Sequence, residues 1–217
     1  MGRRNDHSRE QIREMALDAA LALLEKAGPS GLSARKVASD IGYTVGTLYL
    51  VFENFDDLVV QMNLRTLKKM RLQILAASRA ASSPIERLKA IAAAYIAFAR
   101  AHEHPWRMIY EHPLPAPSDQ YQTAVLEEYK AVSRSMFAPI ENALAQTVDQ
   151  AGAWQPQPAT SMVGRTISLH ARALWGGVHG ICILSLANKL DLGDSGALGI
   201  MTNLLVERFV SGHEGAA

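Results

Sequence analysis

Cysteine is nearly absent: Cys182 stands alone in a chain of 217 residues. A single thiol excludes a disulfide framework within the chain and fits a reducing compartment. Long apolar runs are missing too. The longest, Ala173 to Ala187, covers 15 residues and carries His179, too short and too polar for a bilayer, which takes about 20 apolar residues. Arg3 and Arg4 are followed by a mostly polar stretch over residues 5–14, so no signal-peptide core is expected and the expected location is cytoplasmic, with no membrane partner. An excess of one charge is lacking as well, since 22 basic side chains face 21 acidic ones. A polyanionic partner must then be held by a local basic patch, not by a global field. Strand-like alternation of period two stands out nowhere. What is present is ordinary for a globular chain: 48% hydrophobic and 20% charged residues, which argues against disorder.

Apolar residues recur three and four apart almost throughout and alanine is abundant, so an all-α fold is predicted. Ser8 and Gln11 form a capping-box pair that opens a helix. That helix should bury Ile12, Ala16, Ala19, Leu23 and Ala27 and stop at Gly28-Pro29. Ser33 is placed to cap a second helix to about Asp40, Thr44 a third to about Leu50, and Asn54 a fourth to about Ala80. Ser83-Pro84-Ile85-Glu86 opens a fifth, with Tyr95, Phe98 and His102 along one stripe; a short helix after Pro105 holds Trp106 and Tyr110. One long helix is predicted from about Ser118 to Gly152, then a linker over Trp154 to Pro158, and a helix to about Lys189. A last helix from Asp194 or Ser195 to about Val210 precedes a frayed tail over residues 212–217.

Residues 33–52 have the layout of a helix-turn-helix: short helix, glycine-containing turn, second short helix. Such a pair works because its second helix fits the major groove of a duplex, about 12 Å wide, while the first crosses the backbone. Ala38 is small where the helices must approach, and Gly42 can supply a positive φ in the turn. Val37, Ile41, Val45 and Leu48 give the pair its apolar faces. The same pattern also describes an αα-hairpin with no groove to enter, and periodicity leaves both open.

The order of residues goes further. Ala20, Gly28, Gly31, Ser33, Val37-Ala38, Gly42, Gly46-Thr47-Leu48-Tyr49, Phe52 and Asp57-Leu58 resemble the DNA-binding domain of the TetR family of transcriptional regulators. Downstream, Trp175 followed by His179-Gly180 is similar to the WHG-type regulatory domain of one branch of that family. The resemblance implies a three-helix helix-turn-helix domain over residues 1–54, a larger helical effector-binding and dimerisation domain over 55–211, and the tail over 212–217. It implies a ligand-responsive, homodimeric repressor that binds a double-stranded, palindromic DNA operator and is released by a small-molecule effector. Thr44, Val45, Gly46 and Thr47 would lie at the groove. Tyr49 would reach a phosphate or a base edge, unless it is a core aromatic. The competing reading is a helical small-molecule carrier or enzyme that reads no DNA.

One departure from the family pattern matters. Many members carry a lysine at the start of the fourth helix; here that position is Phe55, and no Lys or Arg occurs between Val37 and Leu64. A recognition unit so poor in cations gains little from counterion release by itself. The missing charge is expected from Arg3, Arg4, His7, Arg9 and Arg13, and from Arg35 and Lys36. Arg3 and Arg4 are alternatively a solvated tail.

A two-helix reader touches few base pairs, so genomic specificity asks for two copies, roughly 34–36 Å or a multiple apart. In the last two helices Ala173, Gly176, Gly177 and Gly180 allow close approach of a partner helix, and Ile183, Leu184, Ile200, Leu204, Leu205 and Phe209 offer apolar area. Tight packing inside one chain is the alternative. Tyr95, Phe98, His102, Trp106, Tyr110, Trp175 and His179 are the candidate effector residues, an aromatic set with a few polar groups; the same spacing also describes plain core. No cofactor, metal site or catalytic residue is expected. His170 and His179 lie half a turn out of phase, no cysteine cluster exists, and Cys182 beside His179 lacks a third group.

Overall fold

A computed structural model describes residues 7–114, 120–148, 161–192 and 196–214. Arg3, Arg4, the linker over Trp154 to Pro158, the Asp194 or Ser195 helix start and the last three residues of the tail lie outside these. Among the described residues every regular element is helical. The α-helices are α1 Arg9–Ala27, α2 Ala34–Asp40, α3 Val45–Leu48, α4 Phe55–Ala80, α5 Pro84–Ala101, α6 Glu103–Glu111, α7 Gln120–Ser135, α8 Ala138–Val148, α9 Met162–Leu186 and α10 Ala197–Glu214, with a 3-10 turn at Pro29–Gly31.

Local chemistry sets the helix ends. Ser8 and Gln11 exchange side-chain and backbone hydrogen bonds in a complete capping box. Asn54 Oδ1 accepts the Asp57 N–H at 2.8 Å, and the Asp57 carboxylate in turn accepts the Glu53 N–H and the Gln61 amide. Asp57 is therefore a buried part of the helix cap. The long helix expected over 118–152 is two helices. Pro139 has no N–H to give and its ring crowds the carbonyl four residues back, so α7 stops and the chain turns at Met136 and Phe137 before α8. At the other end, α10 continues to Glu214, so residues 212–214, expected in the tail, are helical. On α1, Leu17 and Leu24 take inner positions while Ala27, expected to be buried, is exposed.

The chain divides into two compact units that do not follow its order. The first takes Met1–Lys68 and His102–Ala131, the second Lys69–Ala101 and Val132–Ala217. The core of the first joins Leu24, Val37, Leu48, Phe52, Leu58 and Met62 with Met108 of α6. The amide of Asn63 on α4 donates to the Met108 carbonyl, and the Tyr129 hydroxyl on α7 donates to that of Ile109. Burial pushes the Tyr129 phenol up to about 12, which keeps it a neutral donor. These anchors are why α6 belongs with the N-terminal helices. In the second unit α5 packs on α8, α9 and α10. Its interior includes Leu88, Ile91, Phe98, Leu144, Leu174, Val178, Val206 and the fully buried Cys182.

Candidate functional site

The helix pair near the N-terminus is built from three local devices. Ser33 caps α2 by accepting the Lys36 N–H. Gly42, at φ 75°, ends α2 in a Schellman motif: Tyr43 N–H reaches the Ala38 carbonyl at 2.9 Å and Gly42 N–H the Ser39 carbonyl at 3.1 Å. Nothing lies within 4 Å of where a Gly42 Cβ would sit, so its left-handed backbone alone calls for glycine. Thr44 then caps α3 by accepting the Thr47 N–H, and the two hydroxyls share a further bond of 3.0 Å.

Underneath, Val37, Leu48, Val51 and Phe52 are buried. Outward, Thr44, Gly46, Tyr49 and Leu50 are exposed, Val45 and Thr47 half-buried. Tyr49 keeps 44% of its surface open, which excludes the core-aromatic alternative for this residue. Leu50, which the sequence reading passed over, is more open still at 63%. Arg35 and Lys36 are exposed on α2 and form no ion pair among the described residues.

Arg13 does not join them. Its guanidinium donates to the Val51 carbonyl through Nη2 at 2.9 Å and to Glu10 through Nη1, so it pins the chain that leaves α3. His7 Nδ1 bonds the Tyr43 hydroxyl at 2.9 Å and ties the start of α1 to the turn. Both links bridge more than thirty positions of sequence, and no sequence signal announces them.

The aromatic residues read as one effector set are shared between the two units. In the second unit, Tyr95 is buried and its hydroxyl meets His179 Nδ1 at 2.6 Å; the direction of donation follows the imidazole tautomer. Trp175 stacks on His179 with centroids 4.9 Å apart, and Phe137 meets Trp175 edge-on at 5.8 Å. Burial lowers the His179 pKa below its ordinary value, favouring the neutral ring. Phe98 is core in the same unit. Trp106 and Tyr110 pair edge-on at 5.3 Å in the first unit, where Trp106 is 1% exposed. His102 is a correction. α5 ends at Ala101, so His102 leaves the stripe of Tyr95 and Phe98, stands as the residue before α6, and bonds Glu25 of α1 at 3.1 Å.

The outer faces of α9 and α10 carry much of the open apolar surface. Met162, Leu169, Ala173, Gly176, Ile183 and Leu184 follow helical spacing along α9, with Ile200 and Leu204 on α10. Gly180 is half-buried, as is Phe209, whose ring meets His170 edge-on. A Cβ on Gly176 or Gly180 would meet nothing within 4 Å, whereas one on Gly177 would lie 2.9 Å from Leu205. Gly177 is thus explained inside the chain, by α10, and is removed from the partner-facing set. Among the described residues no group of three or more metal-ligating side chains occurs, and no helix is long and apolar enough to cross a membrane.

Comparison with known proteins agrees with this architecture. Residues 88–206, more than half the chain, match the family described as "Tetracyclin repressor-like, C-terminal domain". Residues 16–62 match "Bacterial regulatory proteins, tetR family". No curated protein matches in sequence. Among solved structures, a protein of unknown function from Rhodococcus sp. RHA1 is similar at TM-score 0.69 and 23% identity, covering 97% of this chain and 98% of that one. A TetR-like transcriptional regulator from the same organism gives 0.61 and 17%, covering 95% and 99%. FadR from Bacillus subtilis, in complex with stearoyl-CoA, gives 0.63 and 14%, covering 92% and 98%. The α2–turn–α3 reader near the N-terminus, and the helical remainder matched over residues 88–206, place this chain in the TetR family of bacterial transcriptional regulators.

Proposed function

We propose that the chain acts as a homodimeric repressor in the cytoplasm, bound to a palindromic operator and released by a small-molecule effector. The observation that carries the DNA reading is the α2–turn–α3 unit, whose buried side locks Val37 and Leu48 while Thr44, Gly46 and Tyr49 are exposed, as are Arg35 and Lys36 on α2. Arg35 and Lys36 supply phosphate contacts, and Arg3 and Arg4 add charge from the arm. α3 has no guanidinium for a bidentate guanine contact, so Val45 and Tyr49 read mainly apolar features, thymine methyl groups above all.

Selection from random duplexes tests this: an inverted repeat should emerge, and replacing its thymines by deoxyuridine should weaken binding by the wild type but not by Val45→Ala. Enrichment of nothing sinks the operator reading. Deleting residues 1–7 should flatten the salt dependence of binding; an unchanged slope assigns Arg3 and Arg4 to a solvated tail.

Dimerisation is assigned to Ala173, Gly176, Gly180, Ile183, Leu204 and Phe209, because the open glycines and the exposed aliphatics of α9 and α10 are otherwise unexplained within one chain. The effector is assigned to the neighbourhood of Tyr95, Trp175 and His179 with Phe98, the Trp-x-x-x-His-Gly string that resembles the WHG-type domain. Of the remaining candidates, His102, Trp106 and Tyr110 line the reading less directly, being held by α1 and by one another. An effector with a large apolar part fits such walls, and the stearoyl-CoA in the similar FadR structure carries such a part in its acyl chain. Release follows when the effector prefers a conformation with mismatched reader spacing, and it can be no stronger than that differential affinity.

A further inference from the structure

One cavity of the second unit is lined by none of the residues assigned above. It is an open cleft of about 300 Å³ lined by Leu75, Ser78 and Arg79 of α4, Arg87 of α5, and Pro139 and Asn142 of α8. That volume is at the lower end of what small-molecule sites offer, about 300–1,000 Å³. Its polar lining is made of two guanidiniums, a hydroxyl and an amide, with no carboxylate.

Three features give the cavity a preference. First, Ser78, though only 7% exposed as a residue, lines the cleft, and among the described residues its hydroxyl is engaged by no other side chain. Second, Arg87 spends one Nη on Gln146 at 3.0 Å and keeps further N–H donors, while Arg79 has no ion-pair partner among the described residues. The nearby acids are engaged elsewhere: Glu86 with Lys89, and Glu141 with Arg172. Third, Arg87 lies close to the N-terminus of α5, and Pro139 and Asn142 close to that of α8, where helix dipoles favour negative charge. Two like charges beside a hydroxyl and an amide, with no carboxylate in the lining, are best relieved by an anion that accepts from all of them.

We propose that this cavity is a binding site for an oxyanion, the phosphate or carboxylate head of a small organic anion. The site is separate from the Tyr95–His179 neighbourhood: Arg87 and Tyr95 are eight residues apart on α5, about 12 Å along its axis. It does not depend on the DNA reading.

The test is calorimetric titration of the full chain with inorganic phosphate, with acetate, and with chloride at matched ionic strength. Phosphate should bind saturably at one equivalent per chain. Arg79→Gln or Arg87→Gln should each weaken it about tenfold, the loss of one charge-assisted contact, and Ser78→Ala about threefold. Arg100→Gln, an exposed residue at the far end of α5, is the control and should change nothing. Saturable acetate binding with the same sensitivity supports a carboxylate head; saturable phosphate binding alone supports a phosphate head. Non-saturable uptake, or binding equal in the wild type and in the Arg79→Gln/Arg87→Gln double variant with unchanged circular dichroism, overturns the proposal.

Discussion

The glycines of the two units are there for different reasons. In the first unit, Gly42 meets nothing, yet its backbone sits at φ 75°, so the turn between α2 and α3 calls for glycine from within the chain. In the second unit, Gly176 and Gly180 have ordinary helical backbones and open space around them. Among the described residues nothing calls for them, and each weakens its helix. Their neighbour Gly177, beneath Leu205, is by contrast explained by its own chain. The first unit thus holds its reader by self-contained chemistry, whereas the outer face of α9 and α10 has the composition of a surface completed by something else.

The contrast can be broken at several points. Phe52→Ala removes a ring that is 2% exposed and should cost about 3–5 kcal/mol, read by denaturant unfolding, with duplex binding lost. Leu204→Glu, on a side chain 50% exposed, should leave the folded chain intact but weaken self-association about 100-fold, close to 2.7 kcal/mol, by sedimentation equilibrium. An unchanged association constant would move the dimer surface off α10. Gly42→Ala should destabilise by about 1–2 kcal/mol, because alanine pays the left-handed penalty that glycine escapes. Gly176→Ala should do the reverse in the monomer, stabilising it by up to about 1 kcal/mol while weakening association. If it destabilises the monomer, the glycine has an intrachain role after all.

The smallest expected effect is acid-dependent. Burial lowers the His179 pKa from the ordinary 6.5, so the folded chain binds fewer protons at that site than the unfolded chain. Its contribution to stability is full above pH 6.5 and is lost as pH falls toward the lowered native value. His179→Gln should flatten that part of the stability–pH curve, and a curve of unchanged slope would assign the acid loss to other groups.

Much of the fold was legible because its helix ends are written in short-range chemistry. Ser8 with Gln11, Thr44 with Thr47, and Asn54 with Asp57 act across three residues, a distance at which residue type alone is informative. The break before α8 was also local, and reading Pro139 as an interior helix residue missed it. Tertiary assignments were not legible in the same way. Helical periodicity put His102 on the stripe of Tyr95 and Phe98, but a stripe says nothing about where a helix stops, and α5 stops one residue earlier. Likewise Arg13 looked like a free cation until the Val51 carbonyl, 38 positions away, claimed it.

Cys182 has a use that follows from its burial. The chain holds one thiol, and in the folded second unit it is completely covered. A thiol-specific reagent can therefore modify it only when α9 transiently comes away from its neighbours, so the modification rate counts such opening events without any label being engineered in. Measured with and without a bound molecule, that rate is a clock for how tightly the occupant holds the unit shut.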